Sequence, residues 1–363
     1  MNPKPLLPAS AVAVLLLAAP PSVFAWSANG HRTVGQIAQD LLQKQAQAGD
    51  AQSQAALNAI TNILGQGVSL AAIAPCADQI RRFDEETGQV RAAGGQVSCG
   101  GLQLTVNPAS EPWHFVNVDI TQPDTADAIA AQCGGDACVV NQIKDDVQAL
   151  QNPNAATTDL QTALMYLVHF VGDEHQPLHC ATEFVNGAQD YGGNEKQVSF
   201  QGQTLNMHAL WDHLIEFSDD TNDPNALSQQ LESSLPADTS AWTQGDFVVG
   251  AAIESLGIAQ QTVYPAYYDA ATGGGGSSSG AGFNAQATGA NSLDQTRGPA
   301  VSLPSDYQSQ MQPIVMQRLQ MAGVRLAALL KQALGGAPVP AAPSAAARVS
   351  GEQLQRAAVP PKW

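Results

Sequence analysis

Histidine and aspartate recur at one fixed spacing in two separate parts of this chain. His169 precedes Asp173 by four residues, and His208 precedes Asp212 by four residues. On a helix, each pair projects about 40° apart and can meet one ion. A single pair of this kind is better explained by a core histidine beside a solvated acid. Further candidate ligands lie in other segments: His31, Asp78, His114 and His179. Since zinc takes imidazole nitrogens and carboxylate oxygens in tetrahedral sets, the fold must bring these segments together if they form one metal site.

The N-terminus is typical of a secretory signal peptide. It has a basic Lys4, an apolar run from Ala11 to Ala19, and the small-residue pattern Val23-Phe24-Ala25. The run is shorter than the roughly 20 residues that a membrane span needs. Cleavage after residue 25 would expose the α-amino group of Trp26. Such an amine has a pKa of about 8, so it can bind a metal near neutral pH and close a chelate ring with the Trp26 carbonyl.

The acidic composition excludes one class of nucleic-acid-binding protein. The formal net charge is −17, and loss of residues 1–25, which contain one Lys and no acid, makes it −18. This is the wrong sign for a protein that holds long nucleic acid by neutralising many phosphates. Composition alone favours a soluble acidic exported protein. The other interpretation is a metalloprotein in which bound cations offset part of the charge.

The five cysteines fit an oxidising compartment. Cys133 and Cys138 frame the short segment Cys-Gly-Gly-Asp-Ala-Cys, and we expect them to pair. Cys76, Cys99 and Cys180 remain. At most one more internal pair can form among these three, and the sequence does not say which.

Apolar residues at spacings of three and four predict a mostly helical chain between Trp26 and about Gly335. A first helix is expected after Ser27 or Asn29. Its apolar face would consist of Val34, Ile37, Leu41 and Leu42. We expect an all-α fold with one helical domain over residues 26–335.

Two later helices are also predicted. The segment Thr158–Gln176 has the clearest helical pattern, with Thr158 or Asp159 as cap and Pro177 as stop. A last long helix is expected over Tyr307–Leu334, where Pro313 marks a kink or a later start. Residues 272–299 are rich in Gly and Ser and predict a mobile surface loop. Residues 336–363 are rich in Pro and Ala and predict a disordered tail.

The order of the motifs resembles the fungal and plant type I nucleases, which are related in fold to bacterial zinc phospholipases C. The motifs that carry the resemblance are Trp26…His31, Ala77-Asp78-Gln79-Ile80-Arg81, His114-Phe115, His169-Phe170-Val171-Gly172-Asp173…Gln176-Pro177-Leu178-His179, Gly192-Gly193-Asn194 and His208…Trp211-Asp212. An N-terminal Trp used as a ligand is rare, which makes the resemblance specific. It implies an all-α fold with long surface loops and a cofactor of three Zn2+.

The resemblance also implies how the ligands divide among the ions. One zinc would take Asp78, His114, His169 and Asp173. A second would take His179, His208 and Asp212. The third would take the amine and carbonyl of Trp26, His31 and the other oxygen of Asp173, so that Asp173 bridges two ions.

The remaining roles follow from the same resemblance. Asp78 would orient the attacking water, and Arg81 would bind the pentavalent phosphate. Phe115 would stack on an unpaired base and Asn194 would hydrogen-bond its edge, beside the further substrate-binding candidates Asn117 and Tyr191. Asn117 stands where the family commonly has an acid, which leaves the base preference open. His175 and His213 are expected off the ligand faces, as surface groups or groups behind the ligands.

The function expected is an exported, secreted or periplasmic, zinc-dependent endonuclease that cleaves single-stranded DNA and RNA to 5′-phosphorylated products. Activity on 3′-nucleotides is expected as well, in a monomer without a membrane anchor after processing. Two alternatives stay open: a zinc-dependent phospholipase C, and a non-catalytic exported zinc-binding protein.

Overall fold

The computed structural model describes residues 26–81, 83–84, 89–135, 137–217, 223–272 and 299–336. The predicted leader, the Gly-rich segment apart from its two ends, and the tail beyond residue 336 lie outside the described residues.

Helices dominate this part of the chain, so the predicted all-α class is confirmed. The α-helices are α1 (Ala28–Gln47), α2 (Ala51–Leu64), α3 (Leu70–Ile73), α4 (Cys76–Gln79), α5 (Ala126–Gln132), α6 (Val139–Leu150), α7 (Thr157–Glu174), α8 (Met207–His213), α9 (Pro224–Ser233), α10 (Phe247–Ile258), α11 (Tyr264–Ala271) and α12 (Tyr307–Leu334). Three 3-10 helices cover Pro108–His114, Pro177–His179 and Ser240–Thr243, and a π-helical turn, Ala259–Val263, joins α10 to α11.

The strands are short and lie between the helices. They are β1 (Phe83–Asp84), β2 (Gln89–Val90), β3 (Gln96–Cys99), β4 (Leu102–Thr105), β5 (Val118–Asp119), β6 (Ala181–Thr182), β7 (Phe184–Val185), β8 (Ala188–Gln189), β9 (Gln197–Phe200), β10 (Gln203–Asn206) and β11 (Val301–Ser302). Successive strands pair as antiparallel hairpins in β1–β2, β3–β4, β7–β8 and β9–β10. The two parallel pairs join distant segments: β5 with β6, where Val118 lies opposite Ala181, and β11 with β9.

Helix α1 packs along α12 in the core. Ser27 caps α1 by accepting from the Gly30 amide, which agrees with one of the two predicted caps. Val34, Ile37 and Leu42 on its apolar face are fully buried. The helices approach closely at Gly323 of α12, where an added Cβ would lie 2.4 Å from Cγ2 of Ile37. A glycine at that crossing is therefore required for this packing.

Helix α7 runs through the middle of the core and is buried over most of its length. Its predicted cap was wrong. The helix begins at Thr157, after Ala156, and no side chain caps it. It ends at Glu174, two residues before the predicted end, with Pro177 soon after. The bounds of α12 are those predicted, and because Pro313 lies inside the helix, the alternative of a later start is wrong.

Two disulfides hold the loops that surround α4 and α6. Cys133 and Cys138 form the predicted short-range pair. The second pair joins Cys76, the first residue of α4, to Cys99 at the end of β3. Cys180 is a buried thiol. Among the described helices, none is long and apolar enough to cross a membrane.

The longer disulfide loop should contribute more to stability. Loop closure over the 23 residues between Cys76 and Cys99 predicts a loss of about 3 kcal/mol in the free energy of unfolding for Cys76→Ser/Cys99→Ser. The five-residue loop of Cys133 and Cys138 predicts about 2 kcal/mol for the matched double variant. Urea unfolding of both variants measures the two losses. A larger loss from the short loop would contradict this ranking.

Candidate metal centre

Short irregular segments and helix ends bring eight buried histidines and aspartates into one region of the core. They are His31 of α1, Asp78 of α4, His114 at the end of its 3-10 helix, His169 and Asp173 of α7, His179 of the next 3-10 helix, and His208 and Asp212 of α8. Three groups of these side chains could each hold a metal ion, and the first two share His169: His31, Asp78 and His169; His114, His169 and Asp173; and His179, His208 and Asp212.

Asp173 lies at the centre of this cluster. Its Oδ1 is 3.3 Å from Nε2 of His31 and 3.3 Å from Nε2 of His169, whereas its Oδ2 is 2.9 Å from Nδ1 of His114. The two oxygens therefore face different imidazoles. Asp78 completes this side of the cluster, with its Oδ1 at 3.4 Å from Nε2 of His169 and 3.6 Å from Nδ1 of His114.

His179 and His208 face each other through nitrogen atoms that would repel unless a cation lay between them. Nδ1 of His179 donates to the carbonyl of His114, and Nδ1 of His208 donates to the carbonyl of Gly192, each at 2.7 Å. Because the carbonyls only accept, both neutral rings carry their lone pair on Nε2. These two Nε2 atoms are 3.0 Å apart. Oδ2 of Asp212 lies 3.8 Å from Nε2 of His208, which completes a donor set suited to a divalent metal.

His169 repeats this arrangement. Its Nδ1 donates to the carbonyl of Ala74 at 2.8 Å, so its Nε2 faces the carboxylates of Asp78 and Asp173. Oδ1 of Asp78 and Oδ1 of Asp173 are buried and form no hydrogen bond within the described part of the chain. Two hydrogen-bond acceptors that face each other in a buried site are unfavourable unless a cation or a proton lies between them.

The pKa values of these side chains are shifted by burial and by the charges of their neighbours. Burial lowers the pKa of His208 to about 3, with His179 adding to the effect, and burial lowers the pKa of His114 to about 4. Burial also disfavours the charged form of His169, but Asp173 and Asp78 outweigh it and raise its pKa to about 10. Burial raises the pKa of Asp173, yet the neighbouring histidines, His169 first, bring it well below its usual range. The cluster is built to hold positive charge between acids.

The N-terminus of α1 is anchored to this cluster. The indole nitrogen of Trp26 donates to the carbonyl of Gly172 at 2.9 Å, and the amide of Ser27 donates to the carbonyl of Asp212. Trp26 is fully buried. The ring of His31 stacks on that of His169 at 3.8 Å. A Cβ on Gly172 would lie 2.7 Å from Nδ1 of His31, so glycine makes room for this candidate ligand.

Gln176 orients Asp212 from behind. Its Nε2 donates to Oδ1 of Asp212 at 2.6 Å, and its Oε1 accepts from the amide of Leu178 at 2.6 Å. The Gln side chain is fully buried. From the sequence, Gln176 was assigned only as the end of a predicted helix and as part of a family motif. Its place directly before Pro177, three residues from His179, is the available signal.

The predicted phosphate-binding Arg81 lies at the edge of the cluster. Its Nη1 is 3.6 Å from Oδ1 of Asp78, and its Nε and Nη2 donate to Oε2 of Glu111 at 3.0 and 2.8 Å. Glu111 was not predicted, because nothing in the local sequence indicates that its partner lies 30 residues earlier.

The predicted substrate-binding residues lie on two segments joined to the ligands. Phe115 and Asn117 are partly buried and follow His114. Tyr191 is 57% exposed, and its carbonyl accepts from Nδ2 of Asn194 at 2.7 Å. Between them, Gly192 has φ +65°, and a Cβ there would lie 2.3 Å from the carbonyl oxygen of Leu178. Glycine is required for the turn that delivers the carbonyl to His208.

The two remaining histidines have different environments. His175 is fully buried, so the surface interpretation was wrong for it; its Nδ1 donates to the carbonyl of Val171, and its Nε2 accepts from Nη1 of Arg325. His213 is partly exposed and pairs with Glu216 at 2.7 Å.

Comparison with known proteins agrees with a helical hydrolase that carries such a site. A family model described as S1/P1 Nuclease matches residues 26–335. Nuclease P1 from Penicillium citrinum is 28% identical over 233 residues, which cover 61% of this chain and 73% of the relative. Nuclease S1 from Aspergillus oryzae is 28% identical over 57% of this chain and 59% of its own length. Endonuclease 1 from Arabidopsis thaliana is 25% identical over 88% of this chain and 90% of its own length.

The site and fold define a helical phosphodiester hydrolase with a buried centre that could hold several metal ions. The chain belongs to the S1/P1 nuclease family. The resemblance to the fungal and plant type I nucleases is thereby confirmed.

Gln176→Leu should weaken metal binding, because it removes the donor that fixes Asp212. Loss of such an orienting hydrogen bond typically lowers metal affinity about 10- to 100-fold. Chelator competition followed by metal analysis measures this change. Gln161→Leu is the matched control, since Gln161 is also on α7 but donates to the carbonyl of Ile63. Equal affinity in the two variants would contradict the orienting role.

Proposed function

We propose that this protein is an exported, zinc-dependent endonuclease that hydrolyses single-stranded DNA and RNA to 5′-phosphorylated products and also removes phosphate from 3′-nucleotides. The observation that carries the proposal is the convergence of imidazole nitrogens on the carboxylate oxygens of Asp173, together with membership of a nuclease family. The imidazole and carboxylate donors suit zinc.

We assign the ligands of three zinc ions as the family resemblance implies. Asp78, His114, His169 and Asp173 would hold the first ion, and His179, His208 and Asp212 the second. The main-chain amine and carbonyl of Trp26, with His31 and the other oxygen of Asp173, would hold the third. The facing oxygens of Asp173 support the bridging role, and the burial of Trp26 against Gly172 supports the position of the third set.

The catalytic assignments follow from charge and position. Zinc ions held by these residues would supply an acidified water and neutralise developing negative charge on phosphate oxygens. Oδ1 of Asp78 faces the rings of His114 and His169. Asp78 would orient the attacking water through that atom. Arg81 presents Nη1 beside the same oxygen, and a guanidinium there would donate to the equatorial oxygens of the phosphate.

Preference for unpaired strands is assigned to the two segments next to the ligands. Phe115 would stack on one base, while Asn194 would hydrogen-bond its edge, beside Asn117 and Tyr191. A base inside a duplex is already stacked and paired, so extracting it costs a few kcal/mol. Recognition through one base and one phosphate needs no long basic groove, which fits a chain of net charge −17.

We further propose that residues 26–335 form the catalytic domain of a monomer and that residues 1–25 are a removed leader. The matched range, which begins at Trp26, and the two disulfides support this. Residues 272–299 would be a loop of that domain and residues 336–363 a separate tail.

The decisive experiment compares protein beginning at Trp26, verified by mass spectrometry, with protein that carries one extra N-terminal residue. The extension converts the amine of Trp26 into an amide, which is a far poorer ligand. The extended protein should therefore lose one of three zinc ions and most of its activity on single-stranded DNA. Elemental analysis counts the ions, and the 5′-phosphate of the products is detected by ligation.

The same preparations should be offered phosphatidylcholine vesicles. Hydrolysis of the lipid and not of DNA would contradict the nuclease proposal and support a phospholipase C activity. Bound zinc with no hydrolysis of either substrate would indicate a zinc-binding protein. Equal zinc content and activity in the extended protein would contradict the role of Trp26.

Phe115→Ala should weaken binding of single-stranded DNA while leaving the metal content unchanged. Stacking of a base on an aromatic ring contributes about 1–3 kcal/mol, so KM should rise about 5- to 150-fold with a smaller effect on kcat. Phe184→Ala is the control, since Phe184 is an exposed aromatic residue outside the proposed site. An unchanged KM in Phe115→Ala would exclude the stacking role.

A further inference from the structure

Arg81 is held between two carboxylates that approach different edges of its guanidinium. One oxygen of Glu111, Oε2, accepts from both Nε at 3.0 Å and Nη2 at 2.8 Å. The opposite end, Nη1, lies 3.6 Å from Oδ1 of Asp78. The side chain of Arg81 is 12% exposed and that of Glu111 is 35% exposed. The guanidinium of Arg81 is therefore largely removed from water, whereas Glu111 stays about one-third exposed.

The contact with Glu111 fixes the orientation of the Arg81 guanidinium as well as pairing its charge. A guanidinium is planar and rigid, so holding its Nε–Nη2 edge also determines where Nη1 points. Here Nη1 points toward the same Asp78 oxygen that faces Nε2 of His169 at 3.4 Å. A Lys side chain has three donors on one rotatable nitrogen, so a bond to Glu111 would not fix the direction of its other donors in this way.

We propose that Glu111 is a positioning residue that aims Nη1 of Arg81 at the phosphate of the substrate. The proposal rests on the proposed nuclease function. Glu111 and the ligand His114 lie on one 3-10 helix, Pro108–His114, three residues apart. The same short helix would thus set both a metal ligand and the direction of the cation that meets the phosphate.

Removal of Glu111 has two opposite physical effects that kinetics can separate. The carboxylate repels an anionic substrate, so a merely electrostatic role predicts a lower KM when its charge is removed. A positioning role predicts a lower kcat instead, because Arg81 gains rotational freedom and its Nη1 is no longer held in one direction. Misplacement of a catalytic group by about 1 Å can cost up to about 100-fold in rate.

The test is a double-mutant cycle of Glu111→Ala and Arg81→Lys in the full mature protein, with single-stranded DNA as substrate. Glu111→Ala should lower kcat about 10- to 100-fold and raise the inhibition constant of inorganic phosphate. Glu111→Gln should retain most of kcat, because the amide oxygen can still accept from Nε and Nη2. In the Arg81→Lys background, Glu111→Ala should cause no further loss, since interacting residues are not additive.

Metal content and the melting temperature of each variant complete the test. Glu232→Gln is the control, because Glu232 pairs with Lys44 at the opposite end of α1 from His31. If the unmodified protein does not cleave DNA, the proposed function fails. If it does, the inference alone is overturned by wild-type kcat in Glu111→Ala, by an equal loss in the Arg81→Lys background, or by loss of metal from Glu111→Ala.

Discussion

The site depends on the contacts between the buried carboxylate of Asp173 and the surrounding imidazoles. Asp173 is fully buried near the C-terminal end of α7, and its two oxygens face imidazoles from α1, α7 and the 3-10 helix Pro108–His114. A buried carboxylate is costly unless positive charge lies beside it. The surrounding elements therefore have to deliver cationic or metal-binding groups to one point. The packing of α1 against α12, with Gly323 at the closest approach, holds the N-terminal helix in place for this.

Backbone carbonyls decide which nitrogen of each ring faces the centre. His169, His179 and His208 donate Nδ1 to the carbonyls of Ala74, His114 and Gly192, respectively. These carbonyls come from non-helical residues or from a helix end, where they are not used within a helix. This explains why the site lies among short helices, 3-10 turns and glycine turns rather than along one regular helix bundle. An orienting carbonyl needs an irregular backbone beside a rigid one.

The features predicted from sequence were those with a local pattern. The bounds of α12 and the Cys133–Cys138 pair depend on residues close together in the chain, and both were predicted correctly. The predicted start of α7 was wrong because continuous burial from Ala163 to Glu174 stabilises a helix that has no side-chain cap. The Cys76–Cys99 pair and the Arg81–Glu111 contact join segments whose proximity depends on the fold. Spacing singled out the pairs His169/Asp173 and His208/Asp212, but grouping all eight side chains into one site required a family resemblance, which supplied the long-range information that spacing lacks.

The candidate metal ligands and the proposed substrate contacts lie on the same pieces of backbone in this fold. The 3-10 helix Pro108–His114 carries Glu111 and His114 and continues directly into Phe115. The turn at Gly192 gives its carbonyl to His208, and Asn194 lies two residues later. A shift of either segment would move a ligand and a proposed substrate contact together. Because the segments are short and are held by hydrogen bonds to the candidate ligands, an ordered metal centre would also fix the positions of the groups proposed to bind base and phosphate. The cost of ordering those groups would then be met during folding and metal binding, before substrate arrives.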